Sequence, residues 1–152
     1  MIKIFFQMNF LNLFKSGKVP KINCSIKFME KDILTGFSNE KYDLVVDWMC
    51  FHELPPNDRR SYVEIINDVC SNSVVVTVFH KDDNYSFQPT EFRDVAGKIK
   101  KYRFTAEELS NCFAPHFSRL PQMDKTYPPI DKEIHTDGKV FPKLSAYMAK
   151  NT

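Results

Sequence analysis

The chain is poor in glycine. Only Gly17, Gly36, Gly97 and Gly138 occur among 152 residues, and none lies close enough to another to build a phosphate-cradling loop, so Walker and dinucleotide-binding glycine fingerprints are excluded. It also lacks a surplus of either charge. Lys plus Arg number 21 against 19 Asp plus Glu, a net +2, which is too little to advertise a nucleic-acid surface, and no polyanionic partner is expected. Paired cysteines are missing as well. Cys24, Cys50, Cys70 and Cys112 are spaced too widely for a CxxC zinc knuckle or redox pair. Three of them sit in apolar stretches where a buried free thiol is the usual state, so a reducing, cytoplasmic compartment is expected. No apolar run approaches the ~20 residues that cross a bilayer, and no membrane association is expected. The N-terminal MIKIFFQMNFLNLF has the look of a short signal-peptide core after Lys3. Gln7, Asn9 and Asn12 interrupt it, however, and KSGKVPK offers no small-residue cleavage site.

What remains is a chain with 43% apolar and 14% aromatic residues, long enough for one core, so residues 1–152 are read as a single domain. Its clearest local signal is Tyr42-Asp43-Leu44-Val45-Val46-Asp47-Trp48-Met49-Cys50, a β-branched run that reads as a buried strand of a parallel sheet. After Pro55-Pro56, residues Tyr62, Val63, Ile66, Val69 and Cys70 recur at helical spacing, with Asp58, Arg59, Glu64 and Asn67 on the other side. Ser73 to His80 then gives a second buried strand. Strand, helix and strand in such close succession form a right-handed crossover unit, and the class is α/β.

Upstream, Ser25 to Glu30 alternates as a strand, and residues 2–6 and 8–16 suggest a strand and a short helix. Downstream, Thr105-Ala106-Glu107-Glu108 is a capping box that starts a helix reaching about Phe113. His116 to Met123 and Lys143 to Lys150 read as two late strands that close the sheet in antiparallel fashion, separated by a Pro-rich loop from Asp124 to Pro142. Lys81 to Lys101 has no strong period. It is read as a long loop with a helical stretch near Thr90 to Val95.

Ligands of open parallel sheets bind beyond the carboxyl ends of the strands, where loops and helix N-termini converge. Three polar clusters fall at such ends: Asp32, the run Asp47 to Glu53, and His80 to Asp83. Taken singly, each has an ordinary explanation as a solvated loop acid, a structural histidine or a turn cap. A cysteine hydrolase built on Cys50 and His80 lacks an identifying motif. A metal site on His52, Glu53 and Asp83 is disfavoured because Pro55 and Pro56 break the helix that an HExxH zinc site needs, and no metal is expected.

Taken together, FMEKDIL, YDLVVDWMCFHELPPNDRRSYVEII, SVVVTVF and YRFTAEELSNCFAPHF resemble the class I S-adenosylmethionine-dependent methyltransferases, in particular the small-molecule type related to thiopurine methyltransferase. The resemblance runs from about Phe28 to Tyr147. It implies a Rossmann-like sheet, mostly parallel with a C-terminal antiparallel pair, S-adenosyl-L-methionine as cofactor and a small-molecule acceptor. It maps the acid that contacts the adenine amino group onto Asp32, with Ile33 beside the ring. It maps the segment lying along the cofactor onto Asp47, Trp48 and Met49, and the loop facing the transferred methyl onto Phe51 and His52. His52 is the best candidate for accepting a proton from the acceptor. The family also places a first strand and a glycine-rich turn ahead of these elements, and here no glycine precedes Gly17. The expectation is therefore an N-terminally truncated sheet whose strand at Tyr42 has an open edge, where a partner chain or a second copy would pair. On that expectation methyl transfer by the chain alone is feeble. The rival reading is a degenerate, non-catalytic methyltransferase-like interaction module.

Overall fold

A computed structural model describes residues 32–35, 40–81, 91–93, 100–127 and 142–152. The strands expected at 2–6 and 25–30, the helix at 8–16, and Cys24 and Asp83 lie outside the described residues. The architecture is a mixed sheet carrying two helices on one face. In chain order the elements are β1 (Tyr42–Trp48), α1 (Pro56–Val69), β2 (Cys70–His80), β3 (Glu91–Arg93), β4 (Lys100–Phe104), α2 (Ala106–Phe113), β5 (Phe117–Arg119), β6 (Lys125–Tyr127) and β7 (Lys143–Lys150).

β2 is the centre of the sheet. β1 runs parallel to it from Tyr42↔Cys70 to Trp48↔Thr77, and β7 runs antiparallel along its other edge from Ser73↔Ala149 to Phe79↔Lys143. Where β1 ends, β4 takes over the vacated edge, parallel to β2 at Phe79↔Arg103 and His80↔Phe104. β5 and β6 then pair with the two ends of β7, both antiparallel. The parallel pair and the closing antiparallel strand expected from the sequence are both present.

Alternation along the strands fixes what each face does. Val45 and Asp47 of β1 share a face with Val74, Val76 and Val78 of β2 and Leu144, Ala146 and Met148 of β7, all buried. Onto this face α1 brings Tyr62, Val63, Ile66 and Val69, and α2 brings Leu109 and Phe113. The opposite face of β1 differs from expectation. Leu44, Val46 and Trp48 are 41%, 48% and 54% exposed, so the run read as a wholly buried strand is covered on one side only. Among the described residues β1 has one strand neighbour, β2.

The helix ends follow their sequences. α1 begins at Pro56, where the missing N–H costs nothing because first-turn amides have no intrahelical acceptor. Its last turn carries no basic residue, and cations from elsewhere serve it: the Lys150 ammonium donates to the carbonyls of Asn67 (2.6 Å) and Cys70 (2.7 Å), and Lys41 donates to that of Asp68. α2 starts with the expected capping box. The Thr105 hydroxyl accepts from the Glu108 amide at 3.1 Å, and the Glu108 carboxylate accepts from the Thr105 amide at 2.8 Å.

Two expectations are corrected. The late strand at His116 to Met123 is strand only over Phe117–Arg119 and continues as a 3₁₀ turn over Pro121–Met123, because Pro121 has no N–H to give a ladder. The stretch read as loop with a helical centre holds β3 and the start of β4, antiparallel at Glu91↔Tyr102 and Arg93↔Lys100. Three-residue β3 and the charged β4, Lys100–Phe104, are too short and too polar to show a period in sequence.

Candidate functional site

The carboxyl ends of β1, β2 and β4 point the same way, and the first residue of the antiparallel β7 lies at that same end. The chain leaves the sheet at Met49, whose φ of 66° is left-handed, a conformation that costs a residue with a Cβ roughly 1–2 kcal/mol. The Met49 amide still donates to the Thr77 carbonyl at 3.0 Å, so this last sheet bond helps to hold the bend. Beyond it a 3₁₀ turn, Phe51–Glu53, leads to α1.

Asp47 organises this departure. Its carboxylate is 4% exposed and accepts from the amides of Cys50 (2.8 Å) and Phe51 (3.0 Å) and from the Tyr62 hydroxyl (2.6 Å). Burial raises its pKa from 3.8 to about 6, outweighing these donors, which favour the charged form. The same environment pushes the Tyr62 hydroxyl well above its ordinary range, through burial first and the Asp47 charge second. Burial, with the Asp47 and Glu53 carboxylates, likewise drives the Cys50 thiol upward. A thiol so disposed is no nucleophile.

The sequence-derived site residues divide into two groups. Asp47 is committed to the turn. His52 and Phe51, expected to face a transferred group, are turned inward: the imidazole is 1% exposed and meets the Phe79 ring edge-on at 4.8 Å, and Phe51 packs against Tyr62, Phe104 and Phe113. The cause is the 3₁₀ turn, whose tight winding brings two successive side chains under the ends of β2 and β4. Ile33 is also a core residue.

Asp32, Trp48 and Met49 remain outside the core. Asp32 is exposed, with one carboxylate oxygen accepting from the Leu34 amide at 3.0 Å. Trp48 is largely exposed, and Met49 packs against Phe79. Sequence reasoning missed two contributors, Tyr62 and Lys143. Tyr62 was legible only as an apolar helix position. Lys143, whose ammonium lies 5.9 Å from the centre of the Trp48 ring, was legible only as the start of a strand. Around the rim, Lys101 pairs with Glu53 at 3.2 Å, and the Arg103 guanidinium donates twice to the His80 carbonyl. Among the described residues no group of His, Cys, Asp and Glu could hold a metal ion, and no helix is long and apolar enough to cross a membrane.

No protein-family model matches the chain, and no curated protein sequence matches it. Solved structures do. One is the 1,6-didemethyltoxoflavin-N1-methyltransferase of Burkholderia thailandensis, with bound 1,6-didemethyltoxoflavin and S-adenosylhomocysteine. It superposes with a TM-score of 0.61 at 16% identity over 83% of this chain and 51% of its own. A second is a SAM-dependent methyltransferase from Methanosarcina mazei, with a TM-score of 0.56 at 13% identity over 87% of this chain and 72% of its own. The chain thus spans about half the length of the first. At these identities the likeness is one of fold, and the fold is the Rossmann-like α/β sheet of the SAM-dependent methyltransferases.

Proposed function

We propose that the chain carries the acceptor-side half of an S-adenosyl-L-methionine-dependent methyltransferase acting on a small molecule, of the thiopurine methyltransferase-like type. The observation that carries the reading is the sheet itself. Parallel β1 and β2 end together at one end of the sheet, and β7 returns antiparallel beside β2, in a fold that superposes on that of methyltransferases of which one holds a small acceptor and S-adenosylhomocysteine.

The proposal gives Asp32 the adenosyl end of the cofactor. Asp32 is exposed and only one of its oxygens serves Leu34, so it keeps acceptor capacity for an exocyclic amine. Trp48 and Met49 offer the apolar surface along which the rest of the cofactor would lie. Asp47 acts through the bend: by fixing the Cys50 and Phe51 amides it holds Trp48 and Met49 in place. When bound, the cofactor supplies a methyl group already activated on a sulfonium, so this chain's task is to align and to exclude water. His52, the candidate proton acceptor, is 1% exposed and packs edge-on against Phe79. A reducing cytoplasmic setting belongs to the same proposal and is supported by the free thiols of Cys50, Cys70 and Cys112. So does pairing of a further chain along β1, supported by its having one strand neighbour, β2, among the described residues.

Calorimetry tests the reading. S-adenosylmethionine and S-adenosylhomocysteine should bind, Asp32→Ala should weaken both, and a chain that takes up neither refutes the proposal.

A further inference from the structure

We infer that Asp47 and Tyr62 form a proton-operated latch on the bend at Met49, closed while Asp47 is a carboxylate and released when it becomes a carboxylic acid. Where it concerns ligands the inference rests on the methyltransferase reading above, since the bend carries Trp48 and Met49, and it supplies the regulation of that same site.

The bend is a place where the backbone can give. Met49 holds a left-handed φ of 66°, and a residue with a Cβ stays there only where its surroundings over-determine it. Before the bend, the Met49 amide is fixed to the Thr77 carbonyl at 3.0 Å. Beyond it the restraint is Asp47, which reaches forward to accept from the Cys50 amide at 2.8 Å and the Phe51 amide at 3.0 Å. Tyr62 anchors the same carboxylate to α1, its hydroxyl donating across 2.6 Å.

All three partners of Asp47 are donors. A carboxylate has room for every one of them, whereas a carboxylic acid turns one oxygen into a donor. Protonation therefore forces the Tyr62 hydroxyl to turn round and accept. It also strips charge from the bonds to Cys50 and Phe51, which weakens them by about half. The surroundings leave the two forms close in energy. From α1 the Tyr62 hydroxyl faces the carboxylate, from the turn the Cys50 thiol and the Glu53 carboxylate, and β2 sets the apolar Val76 opposite. Glu53 is itself held 3.2 Å from Lys101 of β4 and 3.8 Å from the imidazole of His52. Among the described residues no Lys, Arg or His pairs with Asp47. Burial thus outweighs the donors and brings the carboxyl to about 6, so both forms are populated close to neutrality.

Trp48 is the sole tryptophan of the chain and directly follows Asp47, so its emission reads the bend without any ligand. From about pH 4.5 to about pH 8 the parent should show one sigmoidal change in emission, centred near 6, with far-UV circular dichroism constant. Asp47→Asn should abolish the change. Tyr62→Phe should move its midpoint upward, because the lost bond favoured the charged form. A flat profile, a change that tracks a loss of circular dichroism, a transition that survives Asp47→Asn, or an unshifted midpoint in Tyr62→Phe would each overturn the inference. Should Asp47→Asn fold poorly, the parent and Tyr62→Phe still decide.

Calorimetry with S-adenosylhomocysteine reads the consequence. If the ionised form alone is competent, about a tenth of the molecules bind at about pH 5, and the apparent dissociation constant there should be about tenfold larger than at about pH 7.5. Equal affinity at the two pH values overturns the regulation. Binding at neither removes the methyltransferase reading, while the fluorescence titration of the latch stands.

Discussion

The Tyr62 hydroxyl donates to the Asp47 carboxylate across 2.6 Å inside the core, tying the second turn of α1 to the end of the strand that precedes it. Two segments 15 residues apart are thereby tied together where β1 gives way to α1.

Tyr62→Phe removes that donor and leaves the carboxylate with its two backbone partners. Hydrogen bonds to charged groups contribute about 1.5–3 kcal/mol, and a loss in this range should appear as a lower urea midpoint. An unchanged midpoint would mean that the hydroxyl only fills space.

Asp47 also makes stability depend on pH in a defined direction. Its pKa is 3.8 in an ordinary setting and about 6 here, so between these values the folded chain keeps a proton that the unfolded chain gives up. Its contribution to stability is full below the lower value, declines as pH rises through the upper one, and is flat beyond. About two units correspond to roughly 3 kcal/mol. Unfolding of the parent and of Asp47→Asn should diverge between about pH 4 and pH 7, and parallel curves would contradict the assignment.

Glu108→Ala breaks one arm of the α2 capping box and its 3.2 Å ion pair with Lys81. The expected cost is about 0.5–2 kcal/mol, with cofactor affinity unchanged because neither Glu108 nor Lys81 is among the residues proposed to hold the cofactor. Denaturant midpoints and calorimetry on one preparation check both halves.

Lys150→Met keeps the apolar stem and deletes the ammonium that serves the Asn67 and Cys70 carbonyls. The C-terminal turn of α1 should fray. Hydrogen exchange at its last amides should speed up selectively, and global stability should fall by about 1.5–3 kcal/mol. Uniform exchange across α1 would rule out a capping role.

The elements legible in the sequence are those whose periodicity is strong and local. The valines of β1 and β2, the stripe from Tyr62 to Val69 and the Thr105–Glu108 box each declare themselves within a dozen residues. β3 and β4 did not, because both are short and rich in charged residues, and Arg103 of β4 is buried to serve a carbonyl of β2. At the proposed site, Asp32, Trp48 and Met49 are read from the sequence by their position at strand ends. The burial of His52 and the engagement of Asp47 were not, because both depend on what meets them in space: Phe79 for the imidazole, Tyr62 for the carboxylate.

The place of β7 bears on how the molecule is made. β2 is flanked early on one side, since β1 precedes it closely, but its other edge pairs from Ser73↔Ala149 to Phe79↔Lys143. On the ribosome that edge emerges well before its partner is synthesised. A strand reading Val74-Val75-Val76-Thr77-Val78-Phe79 with one side unsatisfied is the kind of segment that templates aggregation, and contacts of such long sequence separation form slowly. Chaperone engagement of the nascent chain should therefore be heaviest while residues 74–79 are outside the tunnel and 143–150 are still within it.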